Sequence, residues 1–176
     1  IESFVSKDSN LITRMFSVEA IKLLIPNLEK TSNYPDDLNT RGYLQLGAYL
    51  AGIALFNSSA GPAGALSYML GTWYKVPHGA AGALFLPHIH RFNIENGYYD
   101  YSILYDALNY AKKGLKTEKG KAGYVIDKIF LLNKKLGIKE KLSMYGVKKE
   151  GLTRFEDAAF TTFKAAFDFN PVEIDR

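Results

Sequence analysis

The longest uncharged stretch of the sequence, residues 42–74, reads GYLQLGAYLAGIALFNSSAGPAGALSYMLGTWY. Between Arg41 and Arg91 the only charged side chain is that of Lys75. Such a long uncharged surface would favour aggregation, so we expect this region to be largely buried. A membrane hairpin is the alternative, and it fails on length. The apolar runs on either side of residues 57–59 are shorter than the roughly 20 residues that a membrane-spanning helix needs.

Within this stretch and on both sides of it, apolar residues recur three and four positions apart, which is typical of helices. The pattern predicts helices near 11–26, 37–56, 62–71, 79–93, 99–112, 118–136, 138–145 and 151–167. Asp36 or Asp37 can cap the second helix, and proline is expected to end or kink the first at Pro26 and to kink the fourth at Pro87. No alternating strand pattern longer than a few residues competes. The sequence therefore predicts an all-α bundle of about seven to nine helices.

The composition is that of one folded unit. The 176 residues are 47% hydrophobic, enough for one core, and we expect a single all-helical domain over residues 1–176. The sequence has no cysteine, which excludes disulfides, thiolate metal sites and cysteine nucleophiles and favours a reducing compartment such as the cytoplasm. Residues 1–5, IESFV, resemble no signal peptide, and we expect the chain to be a piece of a longer protein.

Basic residues are concentrated in one part of the chain. Twelve lysines lie from Lys112 to Lys149, against only three acidic residues in that interval. A solvated helix face is the preferred interpretation, and a nucleic-acid-binding helical domain is the alternative. The alternative lacks a recognition-helix motif and aromatic residues interleaved with the lysines, so no nucleic-acid partner is expected.

Three histidines are the only candidates for neutral-imidazole chemistry. His78 follows Pro77 and is expected to open a helix, where the helix dipole disfavours protonation and where an imidazole could bind a metal or a substrate oxygen. From its position alone, an ordinary capping or surface histidine is the preferred interpretation. His88 and His90 are two positions apart and cannot share a helix face, so the three histidines make a weak metal site.

Two further residues are candidates for a polar pocket. We expect Tyr68 to be buried, either as a core hydrogen-bonding residue or as a proton donor lining a cleft. Asn57 lies in a predicted loop between two helices, where asparagine is common for conformational reasons alone. No catalytic triad, phosphate-binding glycine loop or carboxylate pair is present in the sequence, so the residues themselves indicate only a polar pocket at a helix junction.

Four segments together carry a resemblance to a known family. They are AGIALFN at 51–57, ALSYMLG at 65–71, VPHGAA at 76–81 and LPHIHRFN at 86–93. In this order they resemble the iron-containing (group III) alcohol dehydrogenases, and residues 2–6 and 170–171 extend the resemblance over nearly the whole chain. It implies the helical C-terminal domain of the dehydroquinate synthase-like fold, with an α/β nucleotide-binding domain preceding it.

The resemblance also implies an activity. Such a protein is an oxidoreductase that interconverts an alcohol and an aldehyde or ketone with NAD or NADP. It polarises the substrate oxygen with Fe or Zn held by one Asp and three His. Its partners would be a small-molecule alcohol or aldehyde, the N-terminal domain and, as a possibility, a second copy. No cofactor-binding residue is expected in this chain, and no membrane partner.

The ligand set is carried over only in part. His78 matches the last metal ligand, Gly64 stands where the middle ligand is expected, and the Asp-x-x-x-His pair would precede Ile1. Tyr68 stands where the family commonly has a histidine near the substrate, so Tyr68 and Asn57 are the candidate pocket residues and Tyr68 the candidate catalytic one. We expect no tightly bound metal in the chain. A relative that has lost metal-dependent catalysis and acts as a non-catalytic helical module is the alternative.

Overall fold

The computed structural model of the protein describes residues 1–110 and 114–176. Within these ranges the chain forms nine α-helices, two short 3₁₀ helices and no strand, which confirms the all-α prediction. The α-helices are α1 Glu2–Val5, α2 Leu11–Asn33, α3 Leu38–Phe56, α4 Pro62–Tyr74, α5 His78–Glu95, α6 Tyr101–Ala107, α7 Glu118–Lys135, α8 Leu152–Phe160 and α9 Lys164–Asp168, and the 3₁₀ helices are Leu142–Tyr145 and Lys149–Gly151. The predicted 99–112 helix is shorter in the structure, because α6 ends at Ala107, and the last predicted residues, with Lys112, lie outside the described residues.

Short polar residues begin the two longest helices. The side chain of Asn10 accepts hydrogen bonds from the backbone N–H groups of Ile12 and Thr13. In return, the Thr13 hydroxyl accepts a hydrogen bond from the Asn10 N–H, and the two residues form a capping box. Asp37 caps α3 by accepting from the N–H groups of Asn39 and Thr40, which settles the choice between the two aspartates. These caps satisfy backbone donors that the first helical turn leaves without partners.

Three further predicted helices differ from the structure. Of the two effects expected of Pro26, ending or kinking the first helix, the first is wrong, because α2 continues to Asn33. The side-chain amide of Asn27, beside the proline, donates a hydrogen bond to the Leu23 carbonyl, 2.8 Å away. The predicted 138–145 helix shrinks to a 3₁₀ turn. The predicted 151–167 helix is two helices, because Thr161 turns its hydroxyl back to the Asp157 carbonyl and interrupts the helical pattern.

Helix α5 joins two hydrophobic cores. One core is formed by α1, α2, α6, α7 and the end of α5, and its buried members include Phe4, Tyr101, Leu104, Tyr105, Val125 and Ile126. The other is formed by α4, the first half of α5, α8 and α9, and its buried members include Met69, Leu70, Ala81, Leu84, Phe155 and Phe167. The two ends of α5 therefore lie in different cores, with His78 at its start and His90 near its end.

The outer face of α3, defined by Leu46, Tyr49 and Phe56, is exposed. These side chains are 49%, 67% and 89% exposed and lie on one side of the helix. The expectation that the uncharged region is largely buried is therefore wrong for this face. Helix α3 packs mainly along α2, which covers only its opposite side. No helix in the described part of the chain is long and apolar enough to cross a bilayer.

The contact between α2 and α3 depends on one glycine, and a matched pair of substitutions tests this. A Cβ on Gly47 would lie 2.8 Å from Leu24 Cγ, whereas one on Gly52 would meet nothing within 4 Å. We expect Gly47→Ala to destabilise the chain by about 1 kcal/mol, because overpacking costs ~1–3 kcal/mol and outweighs the gain in helix propensity. Gly52→Ala should stabilise it by about 1 kcal/mol. Urea unfolding measures both, and equal effects would contradict the packing assigned to Gly47.

Candidate functional site

The start of α4 is held by a carboxylate from α1. Glu2 Oε1 accepts a hydrogen bond from the Ala63 N–H at 2.7 Å, and its Oε2 accepts one from the Gly64 N–H at 3.1 Å. Burial raises the pKa of this carboxyl, while the same backbone N–H groups favour its charged form. A Cβ on Gly61 would lie 2.6 Å from Oε1, so only glycine leaves room for this approach. Glu2 therefore fixes the backbone around Gly64.

A serine on α4 connects that backbone to His78. The hydroxyl of Ser67 donates to the Gly64 carbonyl oxygen at 2.6 Å and lies 3.0 Å from Nδ1 of His78. Ser67 is fully buried, whereas His78 is exposed at the first position of α5, as the sequence predicted. The imidazole thus stands beside the first turn of α4, with one nitrogen turned toward the interior.

Tyr68 is not buried. Its side chain is 61% exposed and its ring packs against the ring of His78, with centroids 4.8 Å apart and planes tilted by 44°. The expectation of burial is wrong because Ser67 occupies the inward position, and the next residue on a helix points about 100° away from it. A core hydrogen-bonding role is therefore excluded, and the hydroxyl is free to meet a ligand beside His78.

Asn57 lies apart from the pair formed by Tyr68 and His78. It ends α3, and its amide donates to the Ile53 carbonyl at 2.8 Å. The shallow cavity that it lines, about 260 Å³, is bounded by residues of α2 and α3 and includes neither Tyr68 nor His78. The structure therefore brings Tyr68 and His78 together but not Asn57, whose place in a substrate pocket stays a prediction.

The residues present do not fit the metal that the resemblance implies. Across residues 1–110 and 114–176, no group of three or more His, Cys, Asp or Glu side chains is arranged to hold an ion. His78 offers one imidazole and Gly64 offers no side chain, whereas stable sites use three or four protein ligands. The exposed ring of His88 packs edge-on against Phe130, away from His78. That the chain binds no metal tightly stays a prediction.

His90 belongs to a buried polar network that sequence reasoning missed. Its Nδ1 lies 2.8 Å from the hydroxyl of Tyr101, which also accepts a hydrogen bond from the amide of Asn93 at 3.0 Å. Asn93 and Asn170 exchange two further hydrogen bonds, of 3.0 and 2.6 Å. Burial lowers the pKa of His90 to about 3, since an apolar interior penalises the charged form. The spacing of His90 and Asn93 could have signalled one face of a helix, but nothing local points to Asn170.

Fold and site together define an all-helical domain in the described part of the chain, in which a histidine opens α5 beside the first turn of α4. The family model described as Fe-containing alcohol dehydrogenase family, C-terminal, matches residues 1–176. The chain belongs to this family.

Individual relatives agree with the family assignment. The chain is 31% identical over 149 residues to 1,3-propanediol dehydrogenase of Citrobacter freundii, in an alignment covering 85% of this chain and 38% of that protein. It is 28% identical over 160 residues to NAD-dependent methanol dehydrogenase of Bacillus methanolicus, covering 91% of this chain and 42% of that protein. The crystal structure of a 1,3-propanediol oxidoreductase superposes with a TM-score of 0.90 at 29% identity, covering 98% of this chain and 44% of that one. The chain thus spans about two fifths of the length of its relatives.

Proposed function

We propose that this chain is the substrate-side domain of an NAD(P)-dependent alcohol dehydrogenase that interconverts an alcohol and an aldehyde or ketone. The observation that carries the proposal is the exposed pair formed by Tyr68 of α4 and His78 at the start of α5, on two of the four segments that carry the family resemblance. A nucleotide-binding domain outside these residues, a homodimer and a cytoplasmic location are further parts of the proposal. The cofactor, NAD or NADP, would be bound outside this chain.

The chemistry assigned to this chain is the handling of the substrate oxygen. NAD⁺ or NADP⁺, bound outside this chain, would supply the acceptor for the hydride that the carbinol carbon loses. The hydroxyl oxygen gives up its proton to solvent water in the same reaction and carries negative charge until the C=O bond forms. The hydroxyl of Tyr68 would donate a hydrogen bond to that oxygen, a role that needs no more than the exposed position beside His78. The donor set of the described residues does not fit a metal ion, and the hydrogen bond from Tyr68 needs none.

A conservative substitution in the full-length protein tests the role of Tyr68. We expect Tyr68→Phe to lower kcat for alcohol oxidation about tenfold or more, because one hydrogen-bond donor to the developing negative charge is lost. Turnover is measured with NAD⁺ and NADP⁺ on small primary alcohols and diols. Tyr49→Phe, which removes a hydroxyl from the outer face of α3, should leave kcat unchanged.

Two outcomes would contradict parts of this proposal. Unchanged kinetics in Tyr68→Phe would leave Tyr68 as a surface side chain that only packs on His78. A full-length protein that turns over no alcohol with either dinucleotide would support the non-catalytic alternative.

A further inference from the structure

The hydroxyl of Ser67 has two neighbours but only one hydrogen to give. A carbonyl oxygen carries no hydrogen, so the 2.6 Å contact with the Gly64 oxygen requires Ser67 to donate. Toward Nδ1 of His78, 3.0 Å away, the same hydroxyl can then act only as an acceptor. The nitrogen that faces Ser67 must therefore carry a proton.

We propose that Ser67 is a positioning residue that holds neutral His78 with its proton on Nδ1, so that Nε2 presents a bare lone pair. The tautomer of a histidine is set by the hydrogen bond that its inward nitrogen makes. Ser67 is fully buried and His78 exposed, so Nε2 is the nitrogen left for a ligand on the open side of the ring. His78 Nδ1 thus donates to Ser67, and Ser67 donates to the backbone carbonyl of Gly64 in α4. The acceptor nitrogen of His78, Nε2, is left facing outward.

The tautomer decides which chemical group the site can take. Nε2 with a lone pair accepts a hydrogen bond, whereas the neighbouring hydroxyl of Tyr68 donates one. An alcohol hydroxyl is both a donor and an acceptor and can satisfy the two side chains at once. This role toward an alcohol rests on the proposed function, but the position of the proton on His78 does not.

His90 provides an internal contrast on the same helix. The Tyr101 hydroxyl accepts from the Asn93 amide, and Nδ1 of His90 is the one acceptor among the described residues within reach of its hydrogen, so the tyrosine donates to Nδ1. His90 should therefore carry its proton on Nε2, the opposite tautomer from His78. The two histidines can be compared in one spectrum of one sample.

Long-range ¹H–¹⁵N correlation spectra of the ¹⁵N-labelled chain test the proposal without substrate or cofactor. Spectra are recorded at about pH 8.5, two units above the ordinary histidine pKa. His78 is assigned with His78→Gln. We expect the protonated nitrogen of His78 to be Nδ1 in the wild-type chain and the two tautomers to mix in Ser67→Ala. Ser17→Ala is the matched control, since it removes another buried serine hydroxyl, one without a hydrogen-bond partner among the described residues, and should leave His78 unchanged.

A proton on Nε2 of His78 in the wild-type chain would overturn the proposal, as would a Ser67→Ala spectrum identical to wild type. If Ser67→Ala does not fold, the wild-type spectrum alone decides between the two tautomers. If the full-length protein were inactive, the proton on Nδ1 of His78 would still support the role of Ser67. If His78 instead carried its proton on Nε2, the proposed dehydrogenase activity would not be contradicted.

Discussion

Gly64→His is expected to raise the affinity of this chain for Zn²⁺ by about 100-fold, because it adds a second imidazole beside His78. The backbone at Gly64 accepts a Cβ without a clash. A Cβ at position 64 would lie 3.4 Å from Glu2 Oε2 and 3.5 Å from the Cβ of Ala60, both ordinary contacts. The two positions are already linked through Ser67, by contacts of 2.6 and 3.0 Å.

Calorimetric titration with Zn²⁺ measures this gain, and two further variants make it specific. Gly42→His places an imidazole on α3 where a new Cβ meets nothing within 4 Å, and should bind Zn²⁺ no better than wild type. Adding His78→Ala to Gly64→His should remove the gain. An unchanged affinity in Gly64→His would show that a side chain at position 64 does not converge with His78. The alignment of Gly64 with a family ligand would then be wrong.

Acid is expected to destabilise the folded chain through His90. In the folded state, burial lowers the pKa of His90 from 6.5 to about 3, so its imidazole stays neutral when the unfolded chain already takes up a proton. Below the ordinary histidine pKa the unfolded state binds more protons, and stability therefore falls as the pH falls. The slope is at most ~1.4 kcal/mol per pH unit, which gives about 2 kcal/mol between pH 7 and pH 5.

Urea unfolding at the two pH values, compared between variants, isolates the contribution of His90. His90→Met fills similar space without a titratable group and should lose about 2 kcal/mol less than wild type over this interval. Any change that the substitution makes to the free energy of unfolding at both pH values alike cancels in the comparison. His88→Gln removes an exposed histidine of the same helix and should follow wild type. A His90→Met chain that loses as much stability as wild type would rule out His90 as the acid-sensitive group.

Local signals predicted most of the helices. Helix α7 was expected at 118–136 and runs from Glu118 to Lys135, since its apolar spacing and the Thr117 cap are properties of the segment itself. Helix α5 begins at His78, because Pro77 must precede a helix rather than continue one. Such features depend on neighbours along the chain, and a single sequence contains them in full.

The wrong predictions concern which side of a helix packs against another helix. Tyr68 and the outer face of α3 were expected to be buried because they lie in an uncharged region. Composition shows that a segment is apolar but not which face another helix covers. The contact between His78 and Ser67 crosses a break between two helices, and Asn93 meets Asn170 across 77 positions of sequence. Contacts of this kind depend on how whole helices pack against one another and cannot be deduced from the spacing of residues along the sequence.

The outer face of α3 has a consequence for how long this chain would survive in a cell. Chaperones and proteases recognise contiguous apolar surface, and Leu46, Tyr49 and Phe56 display it on a helix that is already folded. Improving the two cores would not hide this surface, because it lies outside both of them. The steady-state amount of the chain would therefore depend on how quickly that face is covered after synthesis as well as on the free energy of unfolding.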